Sequence, residues 1–166
     1  MSNTTHVGYL HLALDFHNLS MLSGNTSQHI IPRTYLHLHA IELAIKSYLL
    51  LHCPENQVIE GYLKSFGHNL NKAWWTSKEY GIEDLPLAED TEEIILQSNK
   101  LYGNKRFEYF EKGIMQFPQP KLIADVSSQL INALDIHYRQ LHAKNRKEDV
   151  SHHMNAPSTS VNDLVE

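Results

Sequence analysis

The segment that most constrains the fold is residues 36–51, LHLHAIELAIKSYLLL. Wound as an α-helix, it is apolar on most of its sides rather than along one stripe. Pro32 suits the first turn of such a helix, and Pro54 ends it after about Cys53. A helix that is apolar nearly all round needs other helices to cover it. The segment therefore predicts the central helix of a bundle.

The flanking sequence supplies the covering helices, which periodicity and breakers place at residues 7–22, 55–64, 69–80, 88–102 and 120–144. Residues 105–117, KRFEYFEKGIMQF, alternate and are rich in aromatics, which predicts an extended connection before the last helix. The fold class is all-α, an up-and-down bundle of four to five helices. We expect residues 1–145 to form one domain and the polar residues 146–166 to form a disordered tail.

In the predicted first helix, an apolar stripe runs through Leu10, Leu14, His17 and Met21 at spacings of three and four residues. Leu12, Phe16 and Leu19 widen that stripe. These positions are the predicted buried face of that helix.

Composition excludes several classes of protein. The chain has 166 residues, 14 Lys+Arg and 19 Asp+Glu, and its formal charge of -5 argues against a broad nucleic-acid-binding face. A single cysteine, Cys53, excludes an internal disulfide and any multi-cysteine zinc motif. We see neither a membrane span nor a signal peptide, and we expect a cytoplasmic protein.

The central segment carries one polar stripe. His39, Glu42 and Lys46 are spaced by three and four residues and so share one helix face, among strongly apolar neighbours. Two interpretations remain open. The stripe is either a solvent-exposed seam with a Glu–Lys pair, or a polar cluster that lines a cleft between helices.

A second motif, GHNL, occupies residues 67–70. Gly67 permits an unusual turn, and His68 and Asn69 can cap the helix that follows. The order HAIELAIK, spacer, GHNLNKAW and then the aromatic KRFEYF resembles the HEPN domain family across residues 7–144. The resemblance implies a bundle of four or five helices, commonly dimeric, with a polar groove.

By position, Glu42 and Lys46 match the family's helix motif, and His68 matches its second motif. Arg106 and the aromatics up to Tyr109 resemble an element that follows the fourth helix. The resemblance thus favours the cleft interpretation, and the predicted ligand-binding residues are His39, Glu42, Lys46, His68, Asn69, Arg106 and Tyr109.

Many HEPN proteins are ribonucleases that use an Arg followed four to six residues later by a His. Here Arg33 to His39 and Arg146 to His152 have that spacing, and neither pair lies near the start of the last helix. We therefore predict no catalytic residue. A metal-independent ribonuclease with a relocated Arg/His pair is the alternative, and a purely structural dimerisation module is another.

No metal or cofactor is predicted. His39 and Glu42 at i,i+3 have the spacing to share an ion, but no second such pair appears on another helix. We expect a non-catalytic protein that binds a nucleotide-like or phosphorylated ligand, RNA or a partner protein, in a bacterial stress, defence or toxin–antitoxin context. Expected partners are a second copy of the chain and a nucleotidyltransferase or antitoxin.

Overall fold

A computed structural model describes residues 5–22, 29–53, 59–103 and 118–154. They form six α-helices, and no residue of these ranges lies in a strand. The helices are α1 (His6–Leu22), α2 (Ile30–His52), α3 (Ile59–Phe66), α4 (Leu70–Glu79), α5 (Thr91–Tyr102) and α6 (Pro120–Met154). The predicted all-α bundle is confirmed, although the described residues contain six helices rather than the predicted four to five. The aromatic connection predicted at 105–117 lies outside the described residues.

The chain divides into two compact units, residues 1–135 and 136–166. The first contains α1 to α5 and the beginning of α6. The second contains the rest of α6, which continues ten residues beyond the predicted end at 144 and reaches Met154. Residues 143–148, AKNRKE, are mostly good helix formers, and no Gly or Pro interrupts the chain before Pro157. A single domain ending at residue 145 stays a prediction.

Helix α2 is the centre of the first unit, as its sequence predicts. Leu38, Ile41, Ile45 and Leu49 are at most 1% exposed, and α2 contacts α1, α4 and α5. Burying a side chain of this size contributes about 1.5–3 kcal/mol. The burial of α2 thus drives the assembly of the helices around it.

Helix α1 packs on α2 through a different face from the one its leucines suggest. Its buried residues are Leu10, Ala13 and Ser20, whereas Leu14 and Met21 are 41% and 54% exposed. The predicted stripe of Leu10, Leu14, His17 and Met21 is therefore wrong at two of its four positions. Because α1 carries apolar residues on nearly every side, periodicity does not select a face, and the small residues Ala13 and Ser20 allow close approach to α2.

Two glycines set the turns on either side of α4. Gly67 (φ 51°) precedes it and Gly81 (φ 84°) follows it, and both lie in the left-handed region that favours glycine. The helix ends two residues before Gly81, at Glu79, where a glycine favours the termination of a helix. No helix among the described residues combines the length and apolarity that crossing a membrane requires.

Candidate ligand-binding site

The polar stripe of α2 faces the interior of the first unit. Glu42 is 3% exposed and Lys46 is 9% exposed, while the His39 side chain is about one-fifth exposed. A solvent-exposed seam is therefore excluded. Since isolated buried charges are costly, each ionised group of the stripe needs a partner.

The carboxylate of Glu42 has a partner at each oxygen. Its Oε1 accepts a hydrogen bond from Lys46 Nζ, one helical turn away. Its Oε2 accepts from the Tyr102 hydroxyl, at the end of α5, and lies 2.9 Å from His68 Nδ1, in the turn before α4. Three elements of the bundle thus converge on one buried carboxylate.

The turn between α3 and α4 supplies the remaining partners. Gly67 takes a left-handed conformation, and its carbonyl accepts a second hydrogen bond from Lys46 Nζ at 3.1 Å. The next residue, His68, then lies beside Glu42. Asn69 caps α4, because its side-chain oxygen accepts from the Lys72 backbone N–H at 3.0 Å. The GHNL motif therefore performs both capping and site construction.

Electrostatics keep Glu42 ionised. Burial opposes the charged form, but His39, the charge and hydrogen bond of Lys46, and the Tyr102 hydroxyl outweigh it and lower the pKa of Glu42 to about 2. Of these groups, His39 makes no direct hydrogen bond to Glu42, because its Nδ1 lies 3.6 Å from Glu42 Oε2. An ionised carboxylate only accepts hydrogen bonds, which decides the proton positions around it.

We assign the protons of both histidines from this network. His68 Nδ1 must donate to Glu42, so it carries the proton. Tyr102 gives its proton to Glu42, so its oxygen accepts from His39 Nδ1 at 2.8 Å. In the neutral form of each ring the proton is therefore on Nδ1, and Nε2 keeps a lone pair. Such an atom can accept a hydrogen bond.

Aromatic rings surround the two histidines. Tyr35 stacks on His39 with centroids 6.2 Å apart and ring planes 6° apart, and Phe16 meets the same ring edge-on at 4.5 Å. The His39 and His68 centroids are 6.3 Å apart. Apart from Tyr102, these rings are all partly exposed. The histidine cluster, defined as His39, Glu42, Lys46, His68 and Tyr102, thus opens to solvent between planar rings.

The structure brings together four of the seven predicted residues, His39, Glu42, Lys46 and His68. Asn69 lies at the cap of α4, one residue from the cluster, and Arg106 and Tyr109 lie outside the described residues. Sequence reasoning missed Tyr102. Its only signal was a tyrosine at the end of a predicted helix, and tyrosines there usually pack as apolar residues.

The Arg/His spacings behave differently. The Nε of Arg33 donates to the Ser20 carbonyl at 3.2 Å, towards the end of α1, whereas His39 Nδ1 belongs to the histidine cluster. Arg146 and His152 both fall on α6, and the His152 side chain is outside the described ones.

A second buried polar network went unpredicted. His37 is 1% exposed and hydrogen bonds to Ser20 Oγ at 2.9 Å, while His17 Nδ1 lies 3.0 Å from Ser127 Oγ. Burial, together with the nearby His17 and Arg33, lowers the pKa of His37 to about 4. This network joins α1, α2 and the first part of α6.

Comparison of the chain with protein-family models, with curated proteins and with solved structures gives no match. The resemblance to the HEPN family rests on the two motifs and stays a prediction.

Proposed function

We propose that this chain is a non-catalytic, HEPN-like helical bundle that binds a small nucleotide-like ligand at the histidine cluster. The observation that carries the proposal is a pair of partly exposed histidines flanked by aromatic rings. The buried Glu42 carboxylate orients His68 directly and orients His39 through the Tyr102 hydroxyl. Ligand sites combine apolar or aromatic walls with a few polar groups of fixed orientation, and this cluster has both.

The aromatic rings favour a ligand with a planar ring. We propose that a nucleobase stacks on the ring face of Tyr35 and contacts the ring of Phe16. A stacking contact is worth about 1–3 kcal/mol per base. The Nε2 atoms of His39 and His68 then supply directional hydrogen bonds to the edge of the base. Sugars and simple anions would form hydrogen bonds with the histidines but would gain nothing from the aromatic rings.

The phosphate of such a ligand needs a cation other than Lys46. Both hydrogen bonds of Lys46 are internal, to Glu42 and to the Gly67 carbonyl, and its charge is balanced by Glu42. We therefore propose that Lys46 positions Glu42 rather than contacting the ligand. Arg106 and Tyr109 remain the residues proposed for the anionic group, on the strength of their position in the KRFEYF element.

The test is calorimetric titration of the full chain with nucleoside monophosphates, with ribose 5-phosphate and with inorganic phosphate, all in EDTA. We expect a monophosphate to bind and ribose 5-phosphate to bind at least tenfold more weakly, because it lacks the base. Tyr35→Leu should weaken binding by about 5- to 150-fold, the loss of one stacking contact. Trp75→Leu is the matched control, since Trp75 is an exposed aromatic residue of α4. Equal affinity for all three compounds would contradict the proposal.

The ribonuclease alternative is favoured by one observation. The ring centroids of His39 and His68 are 6.3 Å apart, and the hydrogen bonds around Glu42 fix the tautomer of each ring. Two histidines held in this way can serve as general acid and general base. Incubation with mixed RNA, compared between the unaltered chain and His39→Ala, tests it. Cleavage above the variant's background would support this activity in place of simple binding.

The proposed biological setting is a bacterial stress, defence or toxin–antitoxin system, with the chain acting as a homodimer. A nucleotidyltransferase or antitoxin is the proposed partner. Sedimentation of the purified chain tests the dimer, and co-purification with the product of a neighbouring gene tests the partner.

A further inference from the structure

Three potential metal ligands converge in the histidine cluster. The donor atoms of His39, Glu42 and His68 all lie within 4.8 Å of one another. Sequence spacing places only His39 and Glu42 together. The third donor, His68, is 26 positions after Glu42 and arrives through the turn before α4.

Two of the three donor separations are close to those around a small transition-metal ion, and the third, between the two histidines, is within 4.8 Å. Glu42 Oε2 is 2.9 Å from His68 Nδ1 and 3.6 Å from His39 Nδ1. A tetrahedral Zn²⁺ with bonds of about 2.0–2.1 Å needs donor atoms roughly 3.3 Å apart, which lies between these two distances. The Tyr102 hydroxyl is 2.8 Å from His39 Nδ1 and 3.3 Å from His68 Nδ1, and it occupies the position of a fourth ligand.

We propose that His39, Glu42 and His68 form a binding site for a divalent transition-metal ion. Binding through Nδ1 requires the proton of each ring to lie on Nε2 instead, so a ring that is neutral before binding undergoes no net loss of protons. The Nε2 atoms make no hydrogen bond to the part of the chain that the structure describes, and the two side chains are 21% and 30% exposed. An ion can therefore reach the site, and solvent can carry the protons.

The surroundings of Glu42 tune this site. Lys46 and Glu42 pair through Oε1, which fixes the carboxylate plane, as outer-shell partners do in metal sites. Oε2, which lies beside His68 and the Tyr102 hydroxyl, is the oxygen that would face the ion. The Lys46 charge also opposes a cation and lowers its affinity. Two imidazoles with one carboxylate favour Zn²⁺, Co²⁺ or Ni²⁺ over Mg²⁺, which prefers oxygen ligands.

The experiment titrates the EDTA-stripped, dialysed full chain with Zn²⁺ by calorimetry and with Co²⁺ by visible absorption. The chain has 12 histidines, and His152 and His153 are adjacent, so a parallel series carries His152→Ala and His153→Ala. In that background we expect one strong site per chain. His68→Ala or His39→Ala should weaken it roughly 100-fold or more, since even outer-shell losses cost 10–100-fold.

His11→Ala is the matched control, because His11 is an exposed histidine of α1 outside the cluster, and it should leave Zn²⁺ affinity unchanged. Mg²⁺ should neither bind nor compete. Circular dichroism establishes that each variant is folded, and His68, the more exposed ligand, carries the test if His39→Ala unfolds. No strong Zn²⁺ site, or one that survives His68→Ala, would overturn the proposal. The result is independent of nucleotide binding, which is measured in EDTA.

Discussion

Burial, not spacing, distinguishes the Glu42–Lys46 pair from an ordinary helical ion pair. Lys121 and Asp125 have the same i,i+4 spacing, but their side chains are 85% and 49% exposed. The side chains of Glu42 and Lys46 are 5% and 11% exposed. An exposed pair contributes a few tenths of a kcal/mol, whereas removal of one partner from a buried pair leaves an uncompensated charge.

We therefore predict that Glu42→Ala lowers the free energy of unfolding by about 3–5 kcal/mol, because the Lys46 ammonium loses its carboxylate in a buried setting. Asp125→Ala, the control at equal spacing, should change it by about 0.5 kcal/mol or less. Urea unfolding followed by circular dichroism measures both. Similar losses for the two variants would show that the Glu42 pair is not specially dependent on its partner.

His37 gives a pH dependence of known sign. Its pKa is lowered from 6.5 to about 4. Below pH 6.5 the unfolded chain binds a proton that the folded chain binds only near pH 4, so acid destabilises the fold across that window. Below pH 4 the full contribution is on the order of 3 kcal/mol.

We predict that His37→Gln flattens the fall in unfolding free energy between pH 6.5 and 4, because glutamine keeps a hydrogen bond to Ser20 but does not titrate. Urea unfolding across this range is the measurement. Glu42, whose pKa is lowered from 4.5 to about 2, contributes stability that is lost only below pH 4.5. An unchanged slope in His37→Gln between pH 6.5 and 5 would assign the acid sensitivity to other groups.

At the scale of the element, α1 shows how far periodicity reaches. The boundaries predicted for this helix, residues 7–22, agree with His6–Leu22 within one residue. Its buried face does not agree, since Ala13 is fully buried and Leu14 is 41% exposed. Helix formation depends on local propensity, whereas the buried face depends on which side α2 can approach most closely.

A pair of substitutions tests which face of α1 packs against α2. Ala13→Leu should destabilise the fold by about 1–3 kcal/mol or more, because the added atoms overpack the contact between α1 and α2. Leu14→Ala should cost less than about 1 kcal/mol, well below the 2–5 kcal/mol of a core leucine. Thermal unfolding compares the two. The opposite ranking would place the leucine stripe, rather than Ala13, against α2.

At the scale of the whole molecule, histidine dominates the response to acid. The formal charge is -5 at pH 7, and protonation of all 12 histidines would bring it to +7. The fold delays part of this change. Burial lowers the pKa of His17, His37 and His137, so these side chains accept protons at a lower pH in the folded chain than in the unfolded chain.

We predict that the folded chain binds roughly one to two fewer protons than the unfolded chain near pH 5. Potentiometric titration in buffer-free salt, repeated in concentrated urea, measures the difference. Equal proton uptake in the two states would mean that the buried histidines titrate as they do in the unfolded chain.

The amino-acid sequence by itself determined the helices, the central position of α2 and the shared face of His39, Glu42 and Lys46, because these follow from local periodicity and from breakers such as Gly81. It also placed His68 in a turn that precedes a helix. Only the tertiary structure decided that the polar stripe is buried, that His68 and Tyr102 meet Glu42, and that α1 is buried through Ala13. Those outcomes depend on contacts between residues tens of positions apart, and no local pattern encodes which faces of several apolar helices will meet.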